Sequence, residues 1–242
     1  MKKLFYLFIL TASISACKDK EVSTEMRGHW MQKEFFNDVQ AKKNLAEITA
    51  PKLEFIITSD DTNYIYITYG KKPATGQIEP YKKNHSVIKD YFGSNHNADI
   101  ILKNNELHFV NAFTQEEIVF VKIDDSYKPN TGSEYESYSI PFIHHQYISG
   151  TYKMDSTEVK FVDQGKLKGL DNLENYSLCY DASCRNGNSN TIFLSDKNYE
   201  GYYYDFETRN DSLIIYDVDR MAIARGMKGN RMGVKYALKK IN

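Results

Sequence analysis

Apolar and polar residues alternate along most of the chain from Gly28 onward. Leu53, Phe55 and Ile57 fall on one face of an extended segment, with Lys52, Glu54 and Thr58 mostly opposite. Ile65 and Ile67 alternate with Tyr64, Tyr66 and Thr68, and near the end Val234, Tyr236 and Leu238 alternate with Lys235 and Lys239. Successive side chains of a strand point to opposite faces, so a period of two in segments rich in Ile, Val, Tyr and Phe predicts β-strands. Polar turn-forming tracts separate these segments: Ser59-Asp60-Asp61-Thr62-Asn63, Lys103-Asn104-Asn105-Glu106 and Arg209-Asn210-Asp211-Ser212. The expected fold is all-β, an antiparallel meander closed into one barrel or divided into two small barrel or sandwich units.

One stretch breaks the alternation. Asn37 to Ile48 carries a capping residue and good helix formers, with Val39, Ala41, Leu45 and Ile48 near helical spacing. It predicts one short helix after the first strand, ending before Pro51 and covering one end of a barrel. A second break falls over residues 125–149, where Pro129, Gly132 and several serines suggest a linker. The flanking segments, 28–124 and 150–242, share features. Gly28-His29-Trp30 opens one and Gly150-Thr151-Tyr152 the other. In each, a polar turn leads into an apolar strand near the end, Leu107-His108-Phe109 and Leu213-Ile214-Ile215. Two β units fit this pattern, and so does one continuous barrel over 28–242.

The N-terminus has its own logic. Lys2 and Lys3 precede an apolar run of about ten residues, well short of the ~20 that span a bilayer, and small residues follow. This is the pattern of a secretory signal, residues 1–16. Ile14-Ser15-Ala16-Cys17 resembles the lipobox of bacterial lipoproteins, which implies cleavage before Cys17, a diacylglycerol on its thiol and usually a further acyl (palmitate-type) chain on its amine. The polar residues 18–27 then read as a lipidated tether of at most ~35 Å. With Cys17 assigned to lipid, Cys179 and Cys184 remain, and an isolated pair in an exported protein is expected to form a disulfide.

The whole chain has 242 residues and a formal net charge of −1, so nucleic acid is not an expected partner. Phosphate loops, dinucleotide fingerprints, Gly-x-Ser-x-Gly and His-Glu-x-x-His are absent from the sequence, and no enzyme activity or cofactor is expected. His144-His145 would point to opposite faces if extended, which does not suit a shared metal ion. Asp217-x-Asp219 reads as a strand-end turn.

Two features suggest binding. In Tyr199 to Phe206, alternation places Tyr202, Tyr204 and Phe206 on one face, a row that could stack on a sugar or an apolar ligand. Trp30 is a further aromatic candidate. After Asp219 the sequence holds no acidic residue, while Arg225, Lys228 and Arg231 lie among three glycines. This predicts a long basic hairpin loop suited to anionic headgroups or acidic glycans.

Gly28-x-Trp30 at the head of the first strand resembles the opening of lipocalin-like domains. That resemblance implies a barrel whose Trp seals the base and which binds a small apolar or amphipathic ligand. The Lys-, Asn- and Tyr-rich chain is similar to exported lipoproteins of the Bacteroidota. Lys18-Asp19-Lys20-Glu21 resembles their surface-export tetrads, and Asp155-Ser156-Thr157 and Asp211-Ser212-Leu213 resemble their O-glycosylation tripeptides. These resemblances imply an outer-membrane lipoprotein, on the periplasmic face or the cell surface, held by its lipid. The expected role is non-enzymatic binding of a lipid-like or glycan ligand. The alternatives are a structural or accessory subunit bound to an envelope protein and, behind it, an envelope hydrolase.

Overall fold

A computed structural model describes residues 22–48, 53–57, 63–68, 74–90, 95–129, 137–179, 190–224 and 229–241. Cys17, Cys184, Arg225, Lys228 and the Lys18–Glu21 tetrad lie outside them. The strands form two closed antiparallel barrels in succession, each an eight-stranded meander in which every strand pairs with its neighbours in sequence. The first contains β1 (Gly28–Gln32), β2 (Leu53–Ile57), β3 (Asn63–Thr68), β4 (Ala74–Lys82), β5 (His85–Ile88), β6 (Ala98–Lys103), β7 (Glu106–Asn111) and β8 (Glu117–Lys122). The second contains β9 (Gly150–Met154), β10 (Thr157–Val162), β11 (Lys166–Leu170), β12 (Leu173–Cys179), β13 (Asn190–Ser195), β14 (Gly201–Arg209), β15 (Ser212–Val218) and β16 (Arg231–Ile241). Pairing of β1 with β8 and of β16 with β9 closes the two rings, which leaves neither with a free sheet edge along the closed seam.

The predicted alternation produces these interiors. Leu53, Phe55 and Ile57 face inward with Trp30, Leu107, Phe109 and Phe120, and together they fill the first barrel. The second is filled by Tyr152, Phe161, Tyr176, Phe206, Leu213, Ile215 and Leu238. Interiors this size are packed with side chains, as eight-stranded barrels permit. Asn104 and Asn105 take left-handed backbone angles (φ 53° and 62°) in the β6–β7 turn, the mirror-image geometry that matches the twist of a two-residue hairpin.

The two barrels open in the same way. Gly28 (φ +117°) and Gly150 (φ +146°) begin β1 and β9 with angles that L side chains rarely adopt. A Cβ at Gly28 would lie 3.0 Å from Lys122 Cε, and one at Gly150 would lie 2.9 Å from Lys240 Cε. Trp30 pairs with Lys122 in register, and Tyr152 with Lys240. The Trp30 indole N–H donates to the carbonyl of Met26 (2.8 Å), and the Tyr152 hydroxyl to that of Ile148 (2.8 Å), in both cases four residues upstream. The likeness between the halves is therefore a repeated structural device: a turn at glycine, an aromatic anchored to the segment before it, and a lysine from the last strand laid across the opening.

Several expectations are corrected. The segment up to Arg27 is not wholly a tether: Thr24–Met26 form a 3-10 turn, and Val22 and Met26 are buried in the first barrel's core. The helix after the first strand is α1 (Lys33–Ala41), starting four residues earlier than expected, and Leu45–Glu47 form a separate 3-10 turn. The shift follows from Phe35 and Val39, one turn apart, which are the positions α1 buries. Residues 125–149 are not simply a linker, since they include a second helix, α2 (Ser139–Tyr147), with Phe142, Ile143 and Tyr147 buried.

Between the barrels, α1 and α2 form an apolar layer. Phe36 stacks on Phe142 (5.0 Å between centroids), Tyr147 donates to the Lys42 carbonyl (2.9 Å) and the Leu45 amide donates to Asn190 Oδ1 (2.6 Å). The layer explains why β2 is buried on both faces. Glu54, expected on a polar face, is buried and caps α2: it accepts from the Tyr138 amide (2.8 Å) and from the Ser137 and Ser139 hydroxyls. A carboxylate at a helix N-terminus meets orphan N–H groups and the positive end of the dipole.

Candidate functional site

The end of the second barrel away from α2 is formed by the β11–β12 and β13–β14 turns and the chain after β15. In β11, Lys166 pairs with Asn175 and Leu170 with Leu173, so Leu167, Lys168 and Gly169 stand opposite Glu174 alone. This is a bulge, which bends a strand and re-aims its side chains. Gly169 (φ +80°) makes it feasible, because a Cβ there would sit 2.0 Å from the Glu158 carbonyl oxygen.

The bulge opens a cleft of about 810 Å³ lined by Lys166, Lys168, Asp171, Glu174, Asp196 and Lys197, among others. Three of these charges are already engaged. Lys166 Nζ donates to Asn175 Oδ1 (2.7 Å), and the Asp171 carboxylate accepts from the Tyr236 hydroxyl (2.7 Å). Asp196 Oδ1 accepts from the amides of Asn198 (2.8 Å) and Glu200 (3.0 Å), which locks the β13–β14 turn. That turn carries Tyr199, 68% exposed and held at φ +62° beside the cleft, with Lys166 Nζ 5.9 Å from its ring centre. A bulky side chain in the left-handed region is strained, and such strain gathers at functional sites.

Asp171 also ties the cleft to the barrel mouth. There the Arg220 guanidinium lies 3.9 Å from the Tyr202 ring centre and donates to Asp217 (3.2 Å) and weakly to the Tyr204 hydroxyl (3.4 Å). Arg220 opens a short helix, α3 (Arg220–Ala224), which Asp219 caps through the Met221 and Ala222 amides. The turn expected at Asp217-x-Asp219 is thus a strand end leading into a cap. Burial raises the Tyr204 and Tyr236 hydroxyl pKa values, and for Tyr236 the hydrogen bond to Asp171 adds to it.

The aromatic row divides along this gradient. Tyr202 is 56% exposed at the mouth, whereas Tyr204 and Phe206 are buried in the second barrel's core. Trp30 is 2% exposed, sealed among the first barrel's side chains and covered by Lys122 at 5.5 Å from its ring centre. Arg231 is on the outer wall, bonded to Asp205 (3.4 Å) and Glu207 (3.2 Å), with its guanidinium 4.2 Å from the Tyr216 ring centre. Cys179 ends β12 and is buried. Asp155-Ser156-Thr157 is exposed at the β9–β10 turn, while Asp211-Ser212-Leu213 ends in a core leucine.

His144 and His145 lie on helix α2 rather than a strand. His144 is buried with its Nδ1–H donating to the Asp163 carbonyl (2.8 Å), and desolvation lowers its pKa to about 4. His145 is half exposed, 3.4 Å from the Asp163 carboxylate. Among the described residues no three His, Cys, Asp or Glu side chains gather as metal ligands would, and no helix is long and apolar enough to cross a membrane.

Sequence reasoning included Tyr199 at the head of the aromatic stretch without giving it a role, and passed over Lys168 and Lys197. The available signals were a glycine inside a lysine-flanked strand, which marks a bulge, and an Asp two residues before an Asn, which favours a tight turn. Neither announces a cleft. Comparison with known proteins finds no match to a family model, a curated protein or a solved structure.

Proposed function

We propose that this chain is a lipid-anchored outer-membrane protein that binds a glycan, without catalysis, in the cleft beside Tyr199. The observation that carries the reading is the exposed, strained tyrosine fixed by the Asp196 turn at the rim of an open polar cleft. A tyrosine face stacks on the apolar face of a sugar ring, and nearby amide and carboxylate groups bond its hydroxyls. The filled barrel interiors favour a glycan over an internal apolar ligand, which would have to displace core side chains.

The test uses one substitution with two readouts. Tyr199→Gly removes the stacking face and relieves the left-handed strain, so it should stabilise the fold by about 1 kcal/mol. It should also weaken binding of an oligosaccharide identified on a glycan array by about tenfold. Unchanged affinity alongside raised stability would remove the reading.

The export reading carries a second expectation. Cys179 and Cys184 are proposed to form a disulfide closing a very short loop, which would contribute roughly 2 kcal/mol. Thiol counting on the denatured, unreduced chain should find neither cysteine free, and reduction should lower the denaturation midpoint. Two reactive thiols would refute it.

Exposed Met221 (63%), Met232 (72%) and Val234 (60%) around the last hairpin favour the second reading, an accessory subunit of an envelope complex. Crosslinking in cells that recovers only the monomer would count against it.

A further inference from the structure

The charges left over in the cleft are unequal. Lys166, Asp171 and Asp196 are engaged with neighbours as described. Among the described residues Lys168 and Lys197 face no carboxylate partner, and Glu174 is the one lining carboxylate without an assigned hydrogen bond. The lining carries three lysines and three carboxylates, so its formal charge balances, and of the groups with no hydrogen bond or ion pair among the described residues two are ammonium ions and one is a carboxylate.

A second observation comes from the strand register. Lys168 on β11 stands directly opposite Lys160 on β10, and both side chains are exposed on the outer face. Side chains directly opposite in an antiparallel pair lie close together, and like charges there are destabilising. No acidic side chain bridges this pair among the described residues. Strand register thus sets Lys160 beside Lys168 in the cleft wall, neither of them in an ion pair among the described residues, with a third lysine, Lys197, lining the cleft from the β13–β14 turn. An anion seated at Lys168 would relieve the repulsion with Lys160 and gain charge-assisted hydrogen bonds.

We infer that the glycan taken by the cleft is acidic, with a carboxylate or sulfate on a sugar ring held at Lys168 between Lys160 and Lys197, while Tyr199 stacks on that ring or its neighbour. This rests on the glycan-binding reading above and adds the ligand's charge to it. Tyr199 supplies affinity for any pyranose face, and the lysines supply selection for an anionic substituent.

The experiment titrates the full chain in detergent with an oligogalacturonide and with the same oligosaccharide after reduction of its carboxyl groups. A sulfated galacto-oligosaccharide forms a third arm. The oligogalacturonide should bind about tenfold tighter than its reduced form, with an advantage that shrinks as salt rises. Lys168→Gln should erase most of the difference between the charged and the neutral form, and Lys168→Arg should restore it. The sulfated arm tells which anionic group is preferred; tighter binding by either charged oligosaccharide supports the inference. Equal binding of charged and neutral forms would overturn the acidic-ligand inference and leave glycan binding standing. Free acetate or sulfate competing as strongly as the oligosaccharides would overturn it as well, marking a bare anion site. Failure of every saccharide to bind would overturn both readings.

Discussion

Gly169→Ala should cost about 3 kcal/mol or more and abolish the cleft. Two penalties act at the same atom. The residue sits at φ +80°, where an L side chain is strained by roughly 1–3 kcal/mol, and its new Cβ would lie 2.0 Å from the Glu158 carbonyl oxygen. The obstructing atom belongs to the backbone of β10, so no side-chain rotation relieves the contact. The strand has to move, at a further cost typical of overpacking, about 1–3 kcal/mol. Because the bulge aims Lys168, any fraction that folds should also lose oligosaccharide binding. Urea denaturation of the variant checks the first effect, and a binding titration of the folded fraction checks the second. A variant of unchanged stability would show that β11 tolerates another path.

The second large effect is on pH. His144 is neutral and buried, with Nδ1–H bonded to the Asp163 carbonyl and Nε2 buried without a hydrogen-bond partner. Protonation would place a charge and an unmatched N–H in the layer between α2 and the second barrel. Desolvation therefore holds the native pKa at about 4, below the ordinary 6.5, against the pull of Asp163 toward a higher value. Below pH 6.5 the unfolded chain takes up a proton that the native chain does not. Stability is then lost progressively from about pH 6.5 to about pH 4, by about 3 kcal/mol from this residue alone. His29, stacked on Tyr138 at 3.6 Å, is also lowered to about 4 by desolvation and acts in the same direction. His144→Asn keeps a donor for the Asp163 carbonyl and has no proton to gain. Its denaturation midpoint should vary less between pH 7 and pH 4 than that of the parent chain. Identical pH profiles would show that His144 protonates without cost.

The barrels were readable from the sequence because period two records which face of a strand is buried. Leu53, Phe55 and Ile57 line the first barrel as the alternation implies, and the Asn104-Asn105 turn is where the residue types put it. The layer between the barrels was not readable. Helix α2 is nine residues long and mixes Ser139, His144, His145 and Gln146 with its apolar residues, and a helix that short draws its stability from tertiary burial rather than from propensity. Glu54 looks like an ordinary outward-facing residue until a helix N-terminus more than 80 residues away in sequence meets it. The cleft was hidden for a related reason. Gly169 hints at a bulge, but that its bulge and the Tyr199 turn border one opening depends on the stagger of β11, β12 and β13. The aromatic row was a partial guide: alternation correctly joined Tyr204 to Phe206, and those two fill the core, while the exposed ring at the cleft, Tyr199, lies just outside the strand.

The buried N-terminal segment gives the fold a mechanical polarity. Tension applied through the chain before Val22 enters the first barrel's core at Val22 and Met26, and Met26 is tied there to the Trp30 indole. A pull on a ligand at Tyr199 arrives instead at the far end of the second barrel. Force between those two points has to pass through the helical layer, where Phe36 on Phe142 and Glu54 at the head of α2 join the halves. Under load, this seam and the Met26–Trp30 plug are the elements in series, so the strands around the cleft would feel the pull only through them.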